Sequence, residues 1–254
     1  MDDLLESIRL SAAPYGLNLI AAIPATRYDL AVPSMRAHQI DVHARSIILI
    51  GNGGRDMWRA FTEHAAREPG WMRRENPLDD FTRNAIEGSV VPAIRASGAR
   101  CTTVYPFIGD GPKLNFMELG KLSGLAGPSI IGVVVHPTYG PWIAFRAAIL
   151  VDADIDAPGP ALTFDPCPSC TSRSCISSCP AAAVAFPTGW DIPRCLTHRV
   201  ESEADCANRC HARVGCVLGP DHRYPDDELA YHQGRALRAM RAYYDSHIRS
   251  HRSR

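Results

Sequence analysis

Leu4, Leu5, Ile8 and Ala12 recur at three- and four-residue intervals, which places them on one face of a helix over residues 2–12. A Tyr-Gly turn follows, and residues 17–23 form a short apolar run of strand type. After a long connection, SIILI at 46–50 is continuous and apolar and is bounded by Gly-Asn-Gly-Gly, the pattern of a buried strand feeding a helix over 55–67. The glycines at 51–54 read as a plain turn, since a phosphate cradle would call for G-x-G-x-x-G spacing. Phe81, Ile86, Val90 or Val91, and Ile94 then keep near-helical spacing across 79–96, with Pro92 as a kink or as the first turn of a second piece.

Residues 101–107 are strand-like, with Cys101 expected as a small buried hydrophobe, and a helix is expected over 115–125. Two apolar runs, 129–135 and 142–151, are joined by HPTYG and read as a hairpin. The stretch at 152–166 carries three prolines among acids and small residues and is the natural linker. Beyond it, Asp226 is placed to cap a helix running to Tyr244, with Leu229, Leu237, Met240 and Tyr244 inward, and the end HIRSHRSR is expected to fray. No internal repeat is present. These elements predict an α/β (α+β) protein with a mixed core over 1–152, a small segment over 153–225 and a final helix with a basic tail over 226–254.

Charge narrows the partners. With 27 basic and 27 acidic residues the formal charge is zero, so no global field draws the chain to nucleic acid or to an anionic membrane. Arg235, Arg238 and Arg241 accordingly read as a solvated helix face, not a phosphate-backbone contact. The N-terminus, MDDLLESIRL, has acids where a secretory signal carries basic residues, and no apolar run approaches a membrane span of roughly 18 residues. A cytoplasmic protein with no membrane partner is expected. In that reducing compartment, clustered thiols are ligands or redox groups.

Eight of the nine cysteines lie between 167 and 216: Cys167, Cys170, Cys175, Cys179, Cys195, Cys206, Cys210 and Cys216. The first four fall within CPSCTSRSCISSCP. Iron–sulfur cubes take four thiolates each, so eight make two sets, and a Cys-Pro ending a cysteine run is the mark of two-cluster ferredoxins, where that cysteine ligates the other cluster. Zinc is the alternative, using Cys167 and Cys170 with Cys206 and Cys210, but it calls for neither Cys-Pro nor eight thiols. Disulfides are a third reading, disfavoured by the compartment. Cys206-x3-Cys210-His211 is one residue too long for haem attachment.

The run over 109–150, GDGPKLNFMELGKLSGLAGPSIIGVVVHPTYGPWIAFRAAIL, resembles the epoxyqueuosine reductases, iron–sulfur proteins that bind cobalamin. Pro112-Lys113 and HPTYGPWIAFRAAIL are also similar to the cobalamin-processing CblC (MMACHC) proteins. Together with the cysteine pattern and the tail HRYPDDELAYHQ, the match is nearest to bacterial two-cluster ferredoxin-like relatives and spans about residues 46–243. The resemblance implies a nitroreductase-like, CblC-like core holding a corrinoid, and a C-terminal ferredoxin-like domain with two [4Fe–4S] clusters. It implies one cluster on Cys167, Cys170, Cys175 and Cys216 and the other on Cys179, Cys195, Cys206 and Cys210. Three features depart from the pattern: Cys170-x4-Cys175, Cys206-x3-Cys210, and Val217 in place of proline after Cys216.

Asp110 falls where the epoxyqueuosine reductases place a proton-donating aspartate, and between glycines it also reads as a turn residue. Lys113, His136, Pro137, Tyr139, Gly140 and Trp142 are the implied corrinoid contacts, with a simple hairpin turn as the other reading of HPTYG. The chain continues from Cys216 only to Arg254, without length for the family's tRNA-recognition repeats, so epoxyqueuosine in tRNA is not the expected substrate. The expectation is an oxidoreductase that passes electrons from two clusters to cobalamin, with a ferredoxin, flavodoxin or flavoprotein reductase as donor and a small-molecule substrate. The alternatives are a ferredoxin-type carrier without corrinoid and a flavin-dependent nitroreductase-like enzyme.

Overall fold

The computed structural model describes residues 2–107, 109, 111–155 and 163–244, so Asp110, the middle of the expected linker and the basic end lie outside the described residues. The chain divides into two compact units, one of residues 1–127 with 143–164 and the other of residues 128–142 with 165–254.

The first unit contains α1 (Asp2–Ala12), β1 (Leu19–Pro24), α2 (Ala25–Ala31), β2 (Ser46–Gly53), α3 (Asp56–Arg67), α4 (Pro77–Ala85), α5 (Val91–Ala96), β3 (Cys101–Val104), α6 (Phe116–Leu122) and β4 (Ile143–Val151). Its four strands form one antiparallel sheet in the order β1-β2-β4-β3. β2 is a central strand and every one of its residues is buried. Tyr28 of α2 and Leu119 of α6 close over Ile47, Leu49, Ala148 and Leu150. Strand alternation points Ile48 and Ile50 to the opposite face, and both are fully buried. A strand covered on both faces has no polar positions to alternate with, which is why 46–50 reads as an unbroken apolar run.

Gly51 and Gly53 are strand, since β2 continues through Gly53, and only Gly54, with φ of 71°, lies in the turn that was expected. Asn18 pairs with the backbone there, its Nδ2 donating to the Gly53 carbonyl at 3.0 Å and its Oδ1 accepting from the Gly53 N–H at 2.7 Å. The register shifts between Ile50 and Gly51, so that Arg146 is an extra residue on β4 and its Nε donates to Asn52 Oδ1 at 2.8 Å. Pro92 begins a second piece, as expected: a π-type turn over Ile86–Val90 separates α4 from α5, whose first turn holds the proline.

The expected hairpin is absent. β4 pairs with β2 and β3, and residues 129–135 form turns belonging to the second unit. Ser129 Oγ accepts from the Ile131 N–H and donates to the Val133 carbonyl, folding this apolar run back on itself. The run is apolar because Ile130 and Ile131 pack on Cys175, Val184 and Ala212, a demand that mimics strand patterning.

The second unit adds α7 (Ser174–Ser177), the short pair β5 (Val184–Ala185) and β6 (Gly189–Trp190), α8 (Ile192–Glu201), α9 (Glu203–Cys206), α10 (His211–Val214) and α11 (Asp226–Tyr243). α11 buries Leu229 and Leu237 as its spacing predicts, and Tyr244 at its end is buried too. Among the described residues no helix is long and apolar enough to cross a membrane.

Candidate functional site

Cys167 and Cys170 lie in the loop before α7, Cys175 is in that helical turn, and Cys216 follows α10, 41 residues after Cys175. α7 and α10 touch. Ser174 Oγ donates to the Gly215 carbonyl at 2.7 Å, and a Cβ at residue 215 would stand 2.6 Å from Ser178 Oγ and 2.9 Å from the Ser174 carbonyl. Only glycine permits that approach, and it carries Cys216 to the other three thiols. The four border a cavity of about 310 Å³.

Cys179 leaves α7 in the other direction. With Cys195 of α8, Cys206 of α9 and Cys210 before α10, it borders a second cavity of about 170 Å³, walled by Ile131, Val133, Val184 and Trp190. The Trp190 indole donates to Cys195, and the Ala183 N–H lies 3.5 Å from Cys179 Sγ.

Burial pushes the thiols of Cys167, Cys175, Cys195 and Cys216 up, and that of Cys206 to about 11. Backbone N–H groups act the other way, from Ile130 on Cys167, Ile176 on Cys175, and Leu218 and Val217 on Cys216. Such thiols hold their protons near neutrality until a metal displaces them. Among the described residues no three His, Cys, Asp or Glu groups converge tightly enough to hold one metal ion. The thiols of each set line a cavity of their own.

HPTYG is a closed turn within the second unit. His136 and Gly140 exchange backbone hydrogen bonds of 2.8 Å, and Gly140 has φ of 57° with its Cα face against the Leu218 carbonyl, where a Cβ would lie at 2.2 Å. His136 Nδ1 accepts from the N–H groups of Thr138 and Tyr139 at 3.0 and 3.2 Å, leaving the neutral ring's proton on Nε2. That nitrogen can donate a hydrogen bond but presents no lone pair to a metal. Pro137 is exposed and Tyr139 half-buried, its ring 4.6 Å from that of His222.

Burial, with the neighbouring His222, holds His136 below the ordinary histidine value of 6.5. The unfolded chain binds this proton at higher pH than the folded chain, so the contribution to stability is complete above about 6.5 and is lost as pH falls through the folded value. The urea midpoint should therefore fall between pH 7 and pH 5. His136→Asn, which keeps an acceptor for the two N–H groups, should flatten that slope, and an unchanged slope would remove His136 as its source.

Trp142, the last of the implied corrinoid contacts, is enclosed within the second unit. It is fully buried, its ring 5.4 Å from that of Tyr224 and packed with Leu229, and Arg213 lies 5.1 Å from its centroid. Lys113 is exposed and belongs to the first unit, whereas His136, Pro137, Tyr139, Gly140 and Trp142 belong to the second. Sequence reasoning missed Gly215, the wall at 130–133 and Arg199, a buried cation lining the second cavity. Glycine directly before Cys216 was the available signal for the first of these.

The architecture is a mixed α/β fold of the kind found in CblC and the epoxyqueuosine reductases, as the resemblance implied. Aligned with the C. elegans B12-trafficking protein CblC, the chain gives a TM-score of 0.59 at 15% identity, covering 92% of each chain. Epoxyqueuosine reductase from Streptococcus thermophilus gives 0.52 at 12%, covering 89% of this chain and 68% of that one. A reductive dehalogenase whose structure suggests a mechanism for B12-dependent dehalogenation gives 0.53 at 16%, covering 94% and 36%. At these identities the likeness establishes the fold. No family model and no curated protein matches the sequence.

Proposed function

We propose that this protein is an iron–sulfur redox protein that passes electrons from two [4Fe–4S] clusters in a ferredoxin-like segment to a bound cobalamin. One observation carries the cluster reading: eight cysteines border two separate cavities in sets of four, and each set takes one thiol from across the chain. Cys216 joins Cys167, Cys170 and Cys175, while Cys179 joins Cys195, Cys206 and Cys210, the exchange characteristic of two-cluster ferredoxins. The donor sets fit: four soft thiol ligands each, with N–H groups directed at the sulfurs to offset negative charge.

The corrinoid reading rests on the fold shared with a B12-trafficking protein and with a reductive dehalogenase of B12-dependent chemistry. The residues fit it in part. His136 and Tyr139 offer a half-buried ring and an N–H donor, and Pro137 an exposed apolar edge, whereas Trp142 is enclosed. A bound cobalamin would supply low-valent cobalt for reduction of a substrate or removal of an upper ligand. This chain's residues would hold the clusters, exclude water from the thiols and, at Asp110, supply a proton. The donor would be a ferredoxin, flavodoxin or flavoprotein reductase. The burial of Trp142 favours, as a second reading, an electron carrier without corrinoid.

Anaerobically purified protein should contain about eight irons and eight acid-labile sulfides per chain and should bind added cobalamin stoichiometrically, with a shift in its visible spectrum. Zinc in place of iron, without sulfide, would falsify the cluster reading. Cluster-loaded protein that binds no cobalamin in either oxidation state would leave the carrier.

A further inference from the structure

Arg199 lies one helical turn beyond Cys195 on α8 and is only 5% exposed. Its guanidinium meets neutral partners: one terminal nitrogen donates to Met240 Sδ at 2.7 Å, the other to the Gln233 carbonyl at 3.1 Å, and Nε has no hydrogen-bond partner among the described residues. No carboxylate among them lies within ion-pair distance of it. Yet it lines the cavity bordered by Cys179, Cys195, Cys206 and Cys210.

The other basic side chains at this cavity stand beside oxygen atoms or aromatic rings. His198 Nε2 is 3.3 Å from Asp205 Oδ2, His211 Nε2 is 2.7 Å from the Asp205 carbonyl oxygen, and Arg213 lies over the rings of Trp142 and Tyr224 while donating to the Pro141 carbonyl. The first cavity is different. Its cation, Arg173, is half-exposed, lies 3.8 Å from the Phe186 centroid and donates to the Cys170 carbonyl.

A buried cation without an anion is costly, and four thiolates around iron and sulfide supply a net negative charge. Resting on the cluster reading above, we infer that Arg199 is the internal counter-ion of the cluster held by Cys179, Cys195, Cys206 and Cys210, and that it makes this cluster the more easily reduced of the two. Reduction adds one electron from the donor to a cube and forms or breaks no covalent bond. The added negative charge is stabilised most where a desolvated guanidinium stands beside it. The first electron therefore settles on this cluster, which orders the flow between the two.

The test uses the full chain with Arg199→Met, similar in length and uncharged, and Arg199→Lys. In a spectroscopic redox titration, Arg199→Met should shift the reduction equilibrium of one cluster at least tenfold against reduction, about 59 mV for one electron, and leave the other in place. Arg199→Lys should restore most of the shift. In cluster-free protein Arg199→Met should hold or raise the melting temperature, because it removes an unpaired buried charge, whereas in loaded protein it should hasten iron loss. Unchanged potentials at full iron content, or equal destabilisation of both forms, would overturn the counter-ion role and leave Arg199 as a tie between α8 and α11. Failure of wild-type protein to assemble any cluster would overturn the inference together with the cluster reading, and the cluster-free melting temperatures would still report whether the charge is unpaired.

Discussion

Cys216→Ser should remove the same cluster as Cys167→Ser, and Cys179→Ser the same cluster as Cys206→Ser. Each variant should fall from about eight irons to about four, and the surviving cube should give one spectroscopic signature within a pair and the other signature between pairs. The grounds are spatial: Cys179 stands four residues from Cys175 in the chain, yet the two border different cavities, while Cys216 joins Cys175 from beyond α10. Serine keeps the size of the thiol and is a poorer ligand for iron, so the loss reports ligation with little effect on packing. Pairing of Cys179→Ser with Cys167→Ser would show that each stretch of chain keeps its own four ligands, contrary to the arrangement of the two cavities.

Trp142→Ala should destabilise the second unit by about 3–5 kcal/mol, the cost of emptying a buried aromatic site. The indole is fully buried among Tyr224, Leu229 and the Arg213 guanidinium. Trp142→Phe should cost much less, for a specific reason: the indole N–H has no acceptor among the described residues, so the smaller ring forfeits packing area but no hydrogen bond. Chemical denaturation of both variants, followed by far-ultraviolet circular dichroism, checks this. If cobalamin binding weakens in Trp142→Ala and is normal in Trp142→Phe, the loss follows from the unfolded packing. A normal midpoint for Trp142→Ala would contradict the enclosed position of the ring.

Much of the fold was legible where the signal was local. The helical faces of α1 and α11 and the buried strand at 46–50 follow from spacing within a few residues. The extension of β2 through Gly-Asn-Gly was not legible, because it depends on Asn18 and on the displaced Arg146, which come from distant parts of the chain. The hairpin expected over 129–151 failed for a related reason. A run such as Ile-Ile-Gly-Val-Val-Val records only that these positions are covered, and packing on Cys175 and Ala212 covers them as well as a neighbouring strand would.

The sequence by itself determined that eight of the nine cysteines are gathered between Cys167 and Cys216, a concentration of thiols on which the cluster proposal rests whatever the path of the chain. It also determined the periodic elements, whose apolar faces are set by three- and four-residue intervals. Only the tertiary structure decided which thiols share a cavity, since that turns on a missing Cβ at Gly215 letting two helical turns meet. It alone decided that Trp142 is enclosed and that Arg199 lines the thiol cavity with no carboxylate at ion-pair distance among the described residues, because burial and charge pairing are properties of neighbours brought together by folding, which spacing along the chain does not encode.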